Sequence, residues 1–230
     1  MSIISKNVLR MKPGEKIRIS EPAGENYFCE IAEIEDSICA RVDFRKRRDR
    51  NRTAEPDLSV SGTAENDKME LIIQKAVELG VYEIIPVAMK NCVVKLDAKK
   101  AAAKTARWQG IAESAAKQSK RSLIPKVSEP VSYKEAVAYA MKLDQKLVPY
   151  ENERGMAATR EAVEAVRPGE SIGIFIGPEG GFAPEEIEAV KGEMKLISLG
   201  SRILRTETAG FTTLAILMYH IETSCPEKSN

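Results

Sequence analysis

The period of apolar and polar positions changes about a quarter of the way along the chain. Residues 16–20, 27–35 and 37–44 alternate apolar and polar side chains, and Pro13-Gly14 and Ala23-Gly24 supply turns. This alternation predicts three β-strands that each bury one face. Three strands are few for a self-standing barrel. We therefore expect either that this segment rests on its neighbour or that the chain begins late.

After residues 56–62, helical periods alternate with short apolar runs. The spacing of an amphipathic helix recurs in five stretches: 67–80, 97–120, 132–142, 156–166 and 208–223. Buried strands are predicted in four apolar runs: 83–88, 146–149, 172–176 and 196–199. Strands that alternate with helices predict a mostly parallel sheet with helices on both faces. The predicted fold class is α/β, with a β-rich domain over 1–52 and a second domain over 53–230.

Two of the predicted strands end in loops that contain glycine. The run 172–176 leads into Gly177-Pro178-Glu179-Gly180-Gly181, whereas the run 196–199 breaks at Gly200 into a loop that reaches Glu207. The carboxyl ends of parallel strands meet at one edge of an open sheet, where ligands bind. We therefore expect both loops to line one ligand site.

The composition argues against several kinds of site. Hydrophobic residues make up 43% of the chain, and the net charge is +1. Apolar runs are too short for a membrane span, and the N-terminus lacks the apolar core of a signal peptide. The four cysteines show no paired metal spacing, and the single His220 argues against a Ser-His-Asp triad or a two-histidine metal site. We expect a cytoplasmic protein with no metal and no membrane partner.

Positive charge is concentrated in one short stretch. Residues 41–52 carry seven basic side chains in twelve, offset by Asp43 and Asp49 alone. Such a run is commonly a solvated, mobile linker. Clustered arginine and lysine also displace counterions from a nucleic acid, so the run is a candidate phosphate-binding arm. In an otherwise neutral chain we favour the arm.

The first of the two loops lacks the pattern of a phosphate site. Residues 177–181 match neither G-x-G-x-x-G nor a P-loop. Their one ionisable side chain is Glu179, without a lysine or arginine beside it in the sequence, and an acid repels phosphate. A ligand without phosphate and with a positive centre fits better, and S-adenosylmethionine is such a ligand. The alternative is a tight turn that leads into a helix.

The second loop offers apolar side chains to the same ligand. Ile203 and Leu204 would be exposed to water in a loop, but they could wall a slot for a flat purine. Arg205 and Glu207 bracket Thr206 at the start of the last predicted helix. A structural ion pair is the alternative to a functional role for these two charges.

The two loop motifs resemble those of a known family. Residues 176–182 (IGPEGGF) and 199–209 (LGSRILRTETA) are similar to the RsmE family, the small-subunit ribosomal RNA uridine-N3 methyltransferases of the SPOUT superfamily. Four further segments match: 8–15, 67–81, 107–108 and 115–121. The resemblance extends over nearly the whole chain, and the two loop motifs together are highly specific.

The resemblance implies a fold, a cofactor and partners. It implies an α/β domain with a deep trefoil knot, a small N-terminal PUA-like β-barrel that helps to bind RNA, and a homodimer. S-adenosylmethionine would lie between the two loops and a third wall, with these implied contacts: Leu147, Pro149, Ile176, Gly177, Pro178, Glu179, Gly180, Gly181, Leu199, Gly200, Ile203, Leu204, Arg205 and Thr208. The partner would be 16S ribosomal RNA within the assembled small subunit, with RNA contacts expected at Arg10, Arg41, Arg45, Arg47, Arg48 and Arg121.

The chain departs from the family pattern in three places. Ile4 or Ser5 stands where a histidine is usual, and roughly one strand and a turn are absent before it, so we expect a barrel that lacks an edge strand. Glu65 replaces a basic residue near the site. Ala183 replaces a small polar residue, which removes a helix N-cap worth about 1 kcal/mol.

The implied reaction removes the N3 proton of a uridine and places that nitrogen in line with a sulfonium methyl group. Arg205 is the candidate for stabilising the developing uracil oxyanion, and Glu207 or a water molecule is the candidate proton acceptor. Two alternatives stay open. One is an RNA-binding protein that holds the cofactor without methyl transfer, and the other is a SPOUT enzyme that methylates a ribose 2′-oxygen.

Overall fold

The chain divides into two compact units. The computed structural model describes residues 11–20, 25–34, 38–47, 57–61, 66–92 and 98–224. The units comprise residues 1–52 and 53–230, and each has its own sheet.

The N-terminal unit contains a three-stranded antiparallel sheet. Its strands are β1 (Lys16–Ser20), β2 (Glu25–Ile34) and β3 (Ile38–Arg47), with β2 in the middle. Cys29 and Ile31 on β2 are buried, and Ile31 exchanges backbone hydrogen bonds with Gly14 and Glu15. The three strands predicted from the alternating pattern are confirmed.

The first half of the basic run belongs to β3. Backbone pairing with β2 continues through the arginines as far as the Arg47–Glu25 pair. The alternative of a mobile linker is therefore wrong for residues 41–47, whereas phosphate binding by this run stays a prediction. The strand β3 lies at an edge of this sheet, and charged side chains are common on edge strands. A run of basic residues is therefore compatible with a strand here. Three of the predicted RNA contacts in this unit lie on β3: Arg41, Arg45 and Arg47. Two others, Arg10 and Arg48, lie outside the described residues.

The C-terminal unit is built on a six-stranded sheet. Its strands are β4 (Asp57–Ser61), β5 (Glu83–Ile85), β7 (Lys126–Val127), β9 (Gln145–Pro149), β10 (Ser171–Phe175) and β11 (Lys195–Ile197). They lie in the order β11-β9-β10-β4-β5-β7, and every pair is parallel. Two short strands, β6 (Val87–Ala88) and β8 (Val131–Ser132), pair separately. The predicted parallel sheet is confirmed.

Two features of this sheet differ from the prediction. The central strand β4 falls in the region 56–62, where the sequence indicated only a boundary. Its sequence, DLSVS, has two apolar residues and therefore makes no apolar run. The single strand predicted over 83–88 is divided at Pro86, because proline has no N–H to continue the ladder.

Helices cover both faces of the large sheet. Those in the described ranges are α1 (Asn66–Glu78), α2 (Ala98–Gln118), α3 (Tyr133–Ala140), α4 (Ala157–Glu164), α5 (Pro184–Glu188) and α6 (Thr206–Ser224). Successive strand residues point to opposite faces. Ile174 therefore packs in a core with α1, α2, α4 and α6, whereas Phe175 packs in a second core with α3 and α5. No helix of the described part is long and apolar enough to cross a membrane.

Candidate active site

A cleft opens at the carboxyl ends of three neighbouring strands of the large sheet. The segments that follow β9, β10 and β11 line it, because parallel strands end at the same edge. Two of these segments are the glycine loop (residues 177–183) and the arginine loop (residues 200–205). The cleft encloses about 630 Å³ of space between atoms, part of it open to solvent.

Most of the predicted cofactor contacts lie on the wall of this cleft. The lining includes nine of them: Pro149, Ile176, Gly177, Pro178, Gly181, Leu199, Gly200, Ile203 and Leu204. Five others are outside the lining: Leu147, Glu179, Gly180, Arg205 and Thr208. Leu147 is fully buried in the core, two residues before the end of β9. Direct contact with a ligand stays a prediction for the whole set.

The two predicted catalytic residues lie beside the cleft rather than on its wall. Leu204 and Thr206 line the cleft, and the exposed Arg205 stands between them in the chain. The Arg205 carbonyl accepts the Ala209 N–H at 2.8 Å, within the first turn of α6. Glu207, in the same turn, is half-buried. Both side chains are thus at the junction of the arginine loop and α6.

Four charged residues that the sequence did not single out line the cleft: Glu151, Glu153, Arg154 and Arg202. Three of them belong to the segment after β9, which carries no glycine motif. The sequence gives one indication that these three residues are near a ligand site, which is that they follow the predicted third wall at 147–149. The charge that faces a bound ligand therefore comes largely from a segment whose importance is visible only in the fold.

Glu179 has a basic partner from a distant part of the chain. Lys68 Nζ on α1 donates a hydrogen bond to Glu179 Oε1 at 3.1 Å, across 111 residues. No basic residue is next to Glu179 in the sequence, but the fold brings Lys68 beside it. Because Glu179 is also outside the lining, negative charge at the cleft comes from Glu151 and Glu153 instead.

Close approaches explain two glycines of the glycine loop. A Cβ on Gly177 would lie 3.0 Å from the ring of Phe182. Gly181 has a φ of +70°, which L side chains rarely adopt, and a Cβ there would lie 2.8 Å from Glu151 Oε1. With no side chain at either position, the backbone itself faces the cleft.

Buried contacts fix the strand ends from which the loops start. The Thr159 hydroxyl donates to the Ser198 carbonyl at 2.7 Å and accepts the Ser198 N–H at 3.0 Å. The ring of Phe182 meets that of Tyr150 edge to face, with centroids 6.4 Å apart. Hydrogen bonds and ring packing therefore support the floor of the cleft at the ends of β9 and β11.

Helix α5 begins directly after the glycine loop and is held by a buried carboxylate. Ala183 is its N-cap and provides no side-chain hydrogen bond, as the sequence predicts. Glu186 instead accepts the Ala183 N–H at 2.8 Å and the Lys90 N–H at 2.9 Å. The Tyr133 hydroxyl donates to the Glu186 carbonyl at 2.7 Å. Burial, with the charge of Glu186, raises the pKa of Tyr133 to about 12, so the phenol stays a donor.

Arg121, a predicted RNA contact, is a helix cap. Its guanidinium donates to the carbonyls of Val77, Gly80 and Val81 at 3.0, 3.2 and 2.7 Å. These carbonyls lie at the C-terminal end of α1, where helix hydrogen bonding leaves acceptors without partners. These hydrogen bonds hold the guanidinium against backbone, and contact of Arg121 with RNA stays a prediction. Within the described ranges, no group of three or more His, Cys, Asp or Glu side chains is placed to hold a metal ion.

Comparison with known proteins gives matches over both units. Residues 57–218 match the RNA methyltransferase domain family, and residues 6–43 match the RNA methyltransferase PUA domain family. The chain is 35% identical to ribosomal RNA small subunit methyltransferase E of Bacillus subtilis, over 94% of this chain and 86% of that protein.

Two solved structures are similar over the same length. One is a methyltransferase from Legionella pneumophila in complex with the bound cofactor SAM, with 31% identity, a TM-score of 0.81 and coverage of 94% of this chain and 87% of that chain. The other is ribosomal RNA small subunit methyltransferase E from Neisseria gonorrhoeae bound to S-adenosyl methionine, with 29% identity, a TM-score of 0.78 and the same coverage. The resemblance inferred from the loop motifs is confirmed, and the chain belongs to the family of ribosomal RNA small subunit methyltransferases E.

Proposed function

We propose that this chain transfers the methyl group of S-adenosylmethionine to N3 of a uridine in 16S ribosomal RNA. The observation that carries the proposal is the single cleft formed by both motif-bearing loops at the ends of β9, β10 and β11. The cofactor bound in the relatives from Legionella pneumophila and Neisseria gonorrhoeae supports the same cofactor here.

The residues of the cleft fit the parts of this cofactor. Ile176, Leu199 and Leu204 offer apolar walls to the adenine ring. The two arginines of the lining suit a carboxylate, and the two glutamates suit an ammonium group. The bound cofactor supplies an electrophilic methyl group on a positively charged sulfur. A cleft with charges of both signs and exposed backbone suits a ligand that has no phosphate.

The chain must hold uracil N3 in line with the methyl group and take up its proton. Methylation breaks the N3–H bond and the sulfur–methyl bond, and it forms the N3–methyl bond. Arg205 lies between two lining residues, and its guanidinium would stabilise negative charge on the uracil oxygens. Glu207, in the first turn of α6, is the proposed proton acceptor, directly or through a water molecule.

Two arginine variants test this assignment. At saturating cofactor, Arg205→Ala should lower kcat by about 100-fold or more, because a fixed charge opposite a developing oxyanion acts only in the transition state. Arg202→Ala, in the same loop and on the cleft wall, should lower kcat much less. A near-normal kcat for Arg205→Ala would show that Arg205 does not stabilise the uracil oxyanion. A large loss of kcat for Arg202→Ala alone would assign that role to Arg202.

The N-terminal unit is proposed to be the PUA-like RNA-binding domain over 1–52, with the methyltransferase domain over 53–230. The match of residues 6–43 to the RNA methyltransferase PUA domain family and the arginines of β3 support this division. The proposed substrate is 16S ribosomal RNA in the assembled small subunit, in the cytoplasm. In this proposal the strands of the N-terminal unit are part of a β-barrel.

The C-terminal unit is proposed to be knotted and to dimerise. The resemblance to the RsmE family, which implies a knotted domain, supports a threaded chain. Tyr219 on α6 is 73% exposed, which supports apolar surface that a second copy covers. Sedimentation analysis should give the mass of a dimer. A monomer at micromolar concentration contradicts the dimer without affecting the proposed chemistry.

Cofactor titration separates the proposed enzyme from its rivals. Calorimetry should detect binding of S-adenosylmethionine, and radiolabelled methyl should pass to small subunits from cells that lack the native enzyme. Binding without transfer supports the RNA-binding protein, and transfer to a ribose oxygen supports the other SPOUT reaction. No binding at all contradicts the proposed function.

A further inference from the structure

A short turn packs against the glycine loop without lining the cleft. Residues 89–92 follow β6 and are closed by the Cys92 N–H on the Met89 carbonyl and by the Met89 N–H on Cys92 Sγ, both at 3.3 Å. Met89 is buried in the same core as Phe182 of the glycine loop. The turn is thus a fixed platform beside the loop.

The side chain of Asn91 bonds to two successive carbonyls of the glycine loop. Its Nδ2 donates to the Gly181 carbonyl at 3.1 Å and to the Gly180 carbonyl at 3.3 Å, across about 90 residues of chain. A Cβ built on Gly180 would lie 2.9 Å from the Asn91 Cβ and 3.1 Å from the backbone carbonyl oxygen of Asn91. The loop backbone therefore packs directly on Asn91, with no room for a side chain at Gly180.

The neighbouring residue holds the other end of the same loop. The Lys90 N–H donates to Glu186, which also accepts the Ala183 N–H where α5 begins. Two adjacent residues of one turn thus fix the glycine loop near its middle and at its end. Gly181 lines the cleft, whereas Asn91 and Lys90 do not.

We propose that Asn91 is a positioning residue for cofactor binding. Two carbonyl oxygens aimed at one place repel each other, and an uncharged NH₂ group, which has two donors, stabilises that arrangement. The carboxamide thereby holds the Gly180–Gly181 backbone in one conformation, so that the cleft side of the loop is set before a ligand arrives. A loop without this contact would lose conformational freedom on binding, which lowers affinity. The inference rests on the proposed function for the identity of the cofactor.

The test is the affinity for S-adenosylmethionine of Asn91→Asp, measured by calorimetry. This change keeps the shape, removes both donors and sets a carboxylate against two carbonyl oxygens. Kd should rise about tenfold or more, the expected size for a lost pair of hydrogen bonds with a polar group left unsatisfied. In turnover, KM for the cofactor should rise by a similar factor, while kcat at saturating cofactor stays within about threefold, because Asn91 does not reach the reacting atoms.

Two further variants keep the test decisive. Gln118→Glu makes the same amide-to-acid change at an exposed position on α2 that does not line the cleft, so Kd should stay within about threefold. Asn91→Ala removes the donors without adding charge, should raise Kd about fivefold, and decides the question if Asn91→Asp does not fold. Wild-type affinity in a folded Asn91 variant overturns the inference alone. Absence of binding by the wild-type chain contradicts the proposed function instead.

Discussion

The glycine loop and the arginine loop line the same cleft, but they are held in different ways. Side chains from two other segments form hydrogen bonds with the glycine loop. Lys68 donates to Glu179, and Asn91 donates to the Gly180 and Gly181 carbonyls. Most of this loop is therefore supported by groups outside it. Its backbone is set in the folded chain before a ligand binds.

The arginine loop is instead supported at its two ends. Thr159 fixes Ser198 before the loop, and the Arg205–Ala209 hydrogen bond starts α6 after it. Between these points Ile203 is 85% exposed. One loop is thus packed against other segments, whereas the other leaves an apolar side chain exposed at the cleft, where we expect a ligand to cover it. Substitution of the residues that support the glycine loop should therefore change cofactor affinity. In the arginine loop, substitution of the loop's own side chains should do so.

The largest expected effect is on the glycine loop itself. Gly180→Ala would place a Cβ 2.9 Å from Asn91, so the loop or the turn must move. Overpacking of this kind costs about 1–3 kcal/mol, and we expect it as a loss of affinity for S-adenosylmethionine of about 5-fold to 150-fold by calorimetry. Gly110→Ala is the control, because a Cβ there meets nothing within 4 Å. Equal affinity of both variants would contradict the tight fit.

The next effect concerns the stem of the arginine loop. Thr159→Val removes the hydroxyl that pairs with both the N–H and the carbonyl of buried Ser198. The free energy of unfolding should fall by about 1–3 kcal/mol in chemical denaturation. Thr159→Ser keeps the hydroxyl and should recover most of this loss. A stability unchanged in the valine variant would show that the stem does not depend on this contact.

A smaller effect is expected within the arginine loop. Ile203→Ser should leave the stability of the ligand-free chain within about 0.5 kcal/mol, because the side chain is exposed. Affinity for the cofactor should fall about fivefold, since an apolar wall of about 1 kcal/mol is lost. Calorimetry and denaturation on the same sample measure both quantities. A large loss of stability with unchanged affinity would reverse the proposed difference between the loops.

The smallest effect is expected at the ion pair of the glycine loop. Lys68→Gln removes a partly exposed pair with Glu179, and such pairs contribute about 0.2–1 kcal/mol. Cofactor affinity should therefore change by less than about fivefold. Lys75→Gln breaks a similar pair with Glu78 on the same helix and should leave affinity unchanged. A tenfold loss in the Lys68 variant would show that this pair, rather than Asn91, holds the loop.

The sequence predicts the frame of the cleft because its signals are local. Helical spacing predicts all the long helices, and each glycine motif follows an apolar run that is a strand. Parallel strands then bring both loops to one edge without further information. In contrast, β4 lies at the centre of the sheet although its own sequence is only weakly apolar, because its backbone pairs with β10 on one side and β5 on the other.

The contacts that set the cleft could not be predicted because their partners are far apart in the chain. Lys68 and Glu179 are separated by 111 residues, and Arg121 caps α1 across about 40 residues. Each residue type has several common roles, and only the fold decides among them. The sequence around Arg121 does not indicate, for example, that its guanidinium binds the carbonyls at the end of α1.

The most direct test of the account is the chemical identity of the product. Small subunits from cells that lack the native enzyme are incubated with this chain and S-adenosylmethionine, and their 16S ribosomal RNA is digested to nucleosides for mass spectrometry. We expect 3-methyluridine at one position, in an amount that falls at limiting cofactor when Asn91→Asp replaces the wild type. A methyl group on a ribose oxygen, or no product from a chain that binds the cofactor, would contradict it.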